Sequence, residues 1–374
     1  MRRGGASPAA GQRPVLVTGG AGFIGCNIAD RLVGLGHEVL VYDALSRPGV
    51  EANLAWLKER HGSRISSIVA DIRDEDMLVR AVREAGAVFH MAAQVAVTTS
   101  LVDPREDFEV NLTGTLNLLD ALRLSGGGAK PLIFASTNKV YGDLGDLDFR
   151  LEGQRYVPLR AEIAANGIGE ARPLDFHTPY GCSKGGADQY VLDYARSFGL
   201  PAAVLRMSCI YGERQMGTED QGWVAHFLIR AIEGLPITLY GDGRQVRDIL
   251  DVSNAVEAYL EAWRNIEAVR GRAFNLGGGP ANAVSLRELL GYMSELLGDG
   301  IAVEFADWRA GDQRYFVADT RAIRDALDLS PPEPWRDGVA RLAQWLLQAR
   351  EHRPSPRTAR AGAAPGRVVT GAAP

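Results

Sequence analysis

Val15-Leu16-Val17-Thr18-Gly19-Gly20-Ala21-Gly22-Phe23-Ile24-Gly25 is the stretch that decides the fold. Four residues of β-rich composition run into a glycine-spaced turn, and a helical pattern follows through Leu32. Glycines at 19, 22 and 25 permit a tight turn, close approach of backbone to a pyrophosphate and close helix–strand packing. The N–H groups that open the helix have no partner within it and suit phosphate oxygens. This reads as the dinucleotide-binding unit of an α/β protein built on a doubly wound parallel sheet.

The next strand, Glu38-Val39-Leu40-Val41-Tyr42, ends at Asp43, about 20 residues past the glycines, where an acid grips the adenosine ribose hydroxyls. A carboxylate there would repel a 2′-phosphate, so NAD is the expected cofactor. Arg47, just beyond, is the residue that argues for NADP. Residues 65–70 lead to Asp71-Ile72, and residues 87–91 lead to Ala92-Ala93-Gln94, continuing the alternation of a parallel sheet whose carboxyl ends face the cofactor.

The chain has 374 residues, 46% hydrophobic and 23% charged, which is enough for two lobes around a sizeable core. We expect a cofactor lobe over 14–205 and a smaller α/β substrate lobe over 206–350, some of whose segments return to the first. A net charge of -5 argues against nucleic acid or an anionic membrane as partner and leaves a small molecule. Cys26, Cys182 and Cys209 form no C-x-x-C pair, which speaks against a zinc knuckle or a disulfide scaffold and for a reducing cytoplasm. The histidines are dispersed, and His90, ending a strand, reads as a satisfied buried residue, so no metal is expected. No apolar run reaches the ~18 residues of a membrane span. Residues 1–13 and 351–374 have the composition of disordered tails.

The chemistry is carried by Tyr180-Gly181-Cys182-Ser183-Lys184, with Thr137 upstream in Ser136-Thr137-Asn138-Lys139-Val140-Tyr141-Gly142. On a helix, Tyr180 and Lys184 share one face. A free phenol titrates near ~10, and a neighbouring ammonium lowers that value, as would the positive ring of oxidised NAD. Tyr180 then serves as a base while Thr137 holds the same substrate hydroxyl. In the second half, Arg247 and Arg309 are candidates for a substrate diphosphate, because guanidinium donors form a rigid fork.

Taken in order, T-G-G-A-G-F-I-G, D-I at 71–72, H-M-A-A-Q, N-L-T-G-T-L-N-L-L at 111–119, S-T-N-K-V-Y-G and Y-G-C-S-K make the chain resemble an extended short-chain dehydrogenase/reductase from about Val15 to Asp319. The resemblance implies that Asp71 and Ile72 flank the adenine and that Thr137, Tyr180 and Lys184 are the catalytic trio. It also places Phe23, Ile24, Ser46, Ala92, Ala93, Gln94, Asn111 and Met207 around NAD. Members act mainly on nucleotide sugars, by epimerisation or by dehydration, and commonly pair through two helices per chain. Here those would be 113–124 and 181–198, giving a homodimer or homotetramer.

Sugar 4,6-dehydratases carry Asp-Glu after the threonine, whereas this chain has Asn138-Lys139, which cannot readily supply that acid and base. Epimerisation needs no such pair. The insertion 143–178, Cys209 where 4-epimerases usually have Asn, T-E-D-Q-G-W-V-A-H-F at 218–227 and N-L-G-G-G-P at 275–280 resemble the branch that inverts C2 of a CDP-sugar. Gln221 and Trp223 fall in a stretch that lines the sugar or nucleotide in relatives, so they join Asn138, Lys139 and Cys209 as substrate candidates. Ala44 departs from the Asn usual there. A 4-epimerase, a 2-epimerase for another nucleotide sugar and, from another class, a non-catalytic NAD-binding regulator remain open.

Overall fold

The computed structural model describes residues 13–126, 129–298, 300–309 and 311–351. Apart from Arg13 and Glu351, both expected tails lie outside them. The large sheet is built from β1 (Val15–Thr18), β2 (Val39–Asp43), β3 (Ile65–Val69), β4 (Ala87–His90), β5 (Leu132–Thr137), β6 (Ala202–Met207) and β7 (Ala273–Leu276). All pair in parallel, in the order β7-β6-β5-β4-β1-β2-β3. Every residue of β1 and β5 is buried, as expected of parallel strands covered on both faces.

One face of the sheet is covered by α1 (Phe23–Gly34), through Cys26, Ile28, Ala29, Leu32 and Val33, and by the helices Val50–His61 and Val252–Arg264. The other face carries the helix Glu75–Glu84 together with α2 (Gly114–Leu124) and α3 (Thr178–Ser197). Helix α3 carries Tyr180 and Lys184 and covers the expected pairing segment apart from Phe198, with Pro179 in its first turn, where the missing N–H costs nothing. Thr113, expected in α2, instead closes a wide helical turn at Glu109–Thr113.

Strand order reverses beside β1, and ligands of such sheets bind outside the strand ends at that switch point. Thr18, the last residue of β1, pairs with Tyr42 on one side and His90 on the other, so the glycine turn, Asp43 and Met91-Ala92-Ala93 all emerge at one edge. The second lobe stands over this edge. It holds strands 209–211, 246–251, 283–285 and 315–316, with α4 (Trp223–Glu233), α5 (Leu286–Leu297) and α6 (Trp335–Glu351) packed on a core of its own. Strand β7 and helix 252–264 return to the first lobe, while the insertion forms a hairpin, 149–152 with 155–158, that packs on the second.

Candidate active site

A cavity of about 590 Å³ opens between the lobes at the switch point, a size that suits small-molecule and cofactor sites. Gly19, Gly22, Phe23, Ile24 and Gly25 line its floor, with Asp43, Ser46, Asp71, Ile72, Ala92, Ala93 and Met207 around them. Gly19 has φ +65°, and a Cβ on it would lie 2.6 Å from the Ala92 nitrogen. A Cβ on Gly25 would lie 2.2 Å from the Gly19 carbonyl oxygen, so no side chain fits at either position. Gly22 caps α1 without a side-chain hydrogen bond, leaving the opening N–H groups to the cavity.

The Asp43 carboxylate holds this turn together, accepting from Ala21 N at 2.9 Å and Leu45 N at 2.8 Å. Asp71 is clamped by Arg73 through Nε at 2.8 Å and Nη2 at 2.7 Å, and this pairing keeps its carboxyl below the usual carboxylate range. Ile72 fills the space left by Gly114, where a Cβ would come within 2.6 Å of it. Arg47 reaches across the cavity and donates to Gln221 of the second lobe.

At the other end, Thr137, Asn138, Lys139, Tyr180 and Lys184 share the wall. Strand β5 delivers Thr137 in register with Met207 of β6, and the first turns of α3 deliver Tyr180 and Lys184. Ser100 anchors the helix start by accepting from Tyr180 N at 3.2 Å. Burial pushes the Tyr180 phenol up to about 12, with a hydrogen bond to Thr137 pulling the other way. The expectation of a phenol lowered by Lys184 is therefore corrected for the protein alone: desolvation wins. Lys184 donates to the Ala135 carbonyl at 2.7 Å and sits 4.3 Å over the Phe134 ring. Burial depresses its ammonium to about 7, opposed by Asp188 and Asp107.

Asn138 and Lys139 are fixed from the second lobe. Asn138 Nδ2 donates to Gln313 Oε1 at 3.2 Å, and Lys139 Nζ donates to the Gly311 carbonyl at 2.9 Å. Burial and the Arg247 charge lower the Lys139 ammonium to about 8. Cys209, Gln221 and Trp223 also line the cavity, and burial holds the Cys209 thiol above its usual range.

Four expected site residues stand elsewhere. Gln94 and Asn111 lie behind the wall: Gln94 N donates to Asn111 Oδ1 at 2.9 Å, and both side-chain amides donate to Asp107 Oδ1. Arg247 is tied to Asp312 at 2.5 Å and to the Val246 carbonyl. Arg309 lies 3.7 Å over the Tyr240 ring and pairs with Glu219 at 3.0 Å. Neither guanidinium lines the cavity, because each has found a carboxylate in its own lobe. Conversely, Arg73, Ser100, Gly311 and Gln313 shape the site without having been expected there. Only Arg73, two residues past Asp71, had a local signal.

His90 is buried, with Nδ1 2.7 Å from Thr18 Oγ1 and Nε2 3.0 Å from Thr115 Oγ1. Thr115 already donates to the Asn111 carbonyl, so His90 donates from Nε2 and accepts at Nδ1 as a neutral ring. Among the described residues no three His, Cys, Asp or Glu side chains converge to hold a metal, the three cysteines are unpaired, and no helix is long and apolar enough to cross a membrane.

The side-chain-free cradle at Gly19 and Gly25, the open helix start and the acids at 43 and 71 fit a dinucleotide such as NAD. Comparison with known proteins agrees. Residues 15–277 match the NAD dependent epimerase/dehydratase family. The chain is 42% identical to CDP-paratose 2-epimerase of Salmonella typhi over 338 residues, 88% of this chain and 98% of that protein. Among solved structures it resembles UDP-glucose 4-epimerase of Thermotoga maritima with UDP-glucose (TM-score 0.76, 30% identity, covering 90% of this chain and 99% of that one). It also resembles the Thermus thermophilus UDP-glucose 4-epimerase complex with NAD (TM-score 0.75, 33% identity, again 90% and 99%). Fold, cradle and ordered motifs thus lead to one conclusion: the chain belongs to the NAD-dependent epimerase/dehydratase family of enzymes.

Proposed function

We propose that this protein inverts C2 of a CDP-linked sugar of the paratose/tyvelose type, in the cytoplasm, through a transient 2-keto sugar nucleotide. The observation that carries the reading is Asn138-Lys139 lining the cavity directly after Thr137 and beside Tyr180, where dehydration would call for an acid and a base. The similarity to CDP-paratose 2-epimerase across nearly that protein's whole length supports it.

When bound, NAD would supply a reversible hydride acceptor for C2 and a positive charge beside the phenol. The glycine turn and Asp43 would hold the dinucleotide, with Asp71, Ile72 and Met207 lining the same cavity. Tyr180 takes the proton of the C2 hydroxyl and later gives it back, so its proton count is unchanged over a cycle. Thr137 orients that hydroxyl, and Lys184 favours the phenolate. Asn138, Lys139, Cys209, Gln221 and Trp223 hold the nucleotide sugar. Residues 14–205 form most of the cofactor lobe and 206–350 most of the substrate lobe. Exposed Leu124, Tyr190 and Phe198 on and beside α2 and α3 support pairing of two copies there, as a dimer or tetramer.

The test is incubation of the purified protein with CDP-paratose, UDP-galactose and GDP-mannose, with product stereochemistry read by NMR. Inversion of CDP-paratose at C2, with a C2 deuterium label kept in the product, is the expected result. Turnover of UDP-galactose alone, at C4, overturns the assignment.

A further inference from the structure

Tyr180 and Lys184 occupy successive turns of one face of α3, and the next residue on that face is Asp188, fully buried. Its carboxylate accepts from Arg206 through Nε and Nη2, both at 2.9 Å, and from Ser136 Oγ at 2.7 Å. Gln189 Nε2 adds a fourth contact at 2.9 Å. Ser136 immediately precedes Thr137 on β5, Arg206 immediately precedes Met207 on β6, and the two pairs are in register. One carboxylate therefore ties the helix that presents Tyr180 and Lys184 to both strands that present Thr137 and Met207. Arg206 extends the tie through Tyr141 Oη, at 3.0 Å, to Asn275 Oδ1 at 2.8 Å on the sheet's edge strand.

Stability alone does not account for this arrangement, because an apolar pair of similar volume usually serves a core at least as well as a buried ion pair. Its position does. We propose that Asp188 is a positioning residue for Lys184: clamped by Arg206 and Ser136, it holds helix α3 against β5 so that the ammonium meets the Ala135 carbonyl, and it leaves a buried negative charge one turn away on the same face. The proposal rests on the reading of Lys184 as a member of the reacting group.

The other groups facing Lys184 are known. Asp107, from the helix Pro104–Phe108, is a second anion, engaged by Ser183, Gln94 and Asn111. His90, from β4, is the neutral ring described above. Tyr180 lies on the same helix, and Arg206 lies behind Asp188. Burial drives Lys184 toward the neutral amine, and of the two carboxylates that resist this Asp188 acts more strongly. Removing that charge while leaving Arg206 adds an uncompensated cation near the ammonium, whereas removing Arg206 takes away a positive charge that offsets the carboxylate's field at Lys184. The two substitutions act in opposite directions, which a purely structural role would not produce.

The chain contains only four lysines, Lys58, Lys130, Lys139 and Lys184. Labelling with [13Cε]lysine therefore gives four resolvable titration curves by NMR, that of Lys184 being identified by its loss in K184Q. In D188N the Lys184 midpoint is expected to fall by about one pH unit or more, a tenfold weaker hold on the proton. In R206Q it is expected to rise, and D188E should restore the wild-type midpoint. Midpoints unchanged in D188N and R206Q overturn the proposal, and should D188N fail to fold, an unmoved R206Q midpoint is sufficient. Epimerase activity surviving in K184Q would instead overturn the catalytic reading of Lys184, an outcome separate from the titration.

Discussion

The Lys184 ammonium donates to the Ala135 carbonyl at 2.7 Å, which moors it to β5 two residues before Thr137. The cation thus ends against the strand to which Asp188 ties its helix, and burial and a hydrogen bond to Thr137 act on the phenol four residues earlier. In the protein without cofactor, burial favours the protonated Tyr180 phenol.

Replacing Tyr180 with Phe keeps the ring and its packing but removes the group that carries the proton. Turnover should drop by at least about 100-fold, the lower end of what general acid–base groups contribute. NAD content after purification, read by HPLC, should match the wild type. Full activity in Y180F would end the assignment of Tyr180.

Gly25→Ala puts a methyl group 2.2 Å from the Gly19 carbonyl oxygen, a contact that only movement of the turn can relieve. The expected result is loss of bound NAD, measured by calorimetric titration, while the folded signal in circular dichroism persists. Wild-type affinity in G25A would show that the turn does not set the cofactor site.

The depressed Lys139 ammonium gives a signed pH effect. The unfolded chain holds this proton up to ~10.4, and the folded protein releases it near 8. Between those values the unfolded state binds more protons, so this group's contribution to stability rises with pH, by at most about 1.4 kcal/mol per unit. Against Lys139→Met, the wild type should therefore gain ground from pH 8 to 10 in urea titrations. Parallel curves would refute the buried, proton-shedding lysine.

Arg247 and Arg309 should part company. Arg247→Met strands Asp312 in a largely buried pair and should cost about 3 kcal/mol. Arg309→Ala breaks an exposed pair with Glu219 and should cost under about 1 kcal/mol. Neither should change NAD binding, since both stand off the cavity. A strong loss of substrate affinity in R309A with stability intact would return Arg309 to the diphosphate role.

What could be read from the sequence follows the range of the interactions. Strand β1 matches the expected 15–18, and β2 ends at Asp43 as anticipated, because a glycine-spaced turn between apolar runs is a local signal. Lys139 and Asn138 were legible as cavity residues, but their anchors at Gly311 and Gln313 were not, since more than 170 residues of chain intervene. The two arginines show the opposite limit. Residue type announces what a guanidinium can bind, yet which carboxylate captures it is decided by tertiary packing, and in both cases the partner was a neighbour in the same lobe. For the Tyr180 phenol the limit is related: spacing reveals the cation, while desolvation depends on everything folded around it.

The hydrogen bond from Arg47 to Gln221 joins a loop after the second strand to a segment more than 170 residues later. A change at either end leaves the other without its mate, so the two positions should be inherited as a pair. Descendants that replace Arg47 with a short side chain are expected to have lost the amide at 221 as well. That bond lets a single contact across the cleft couple two segments far apart in the chain.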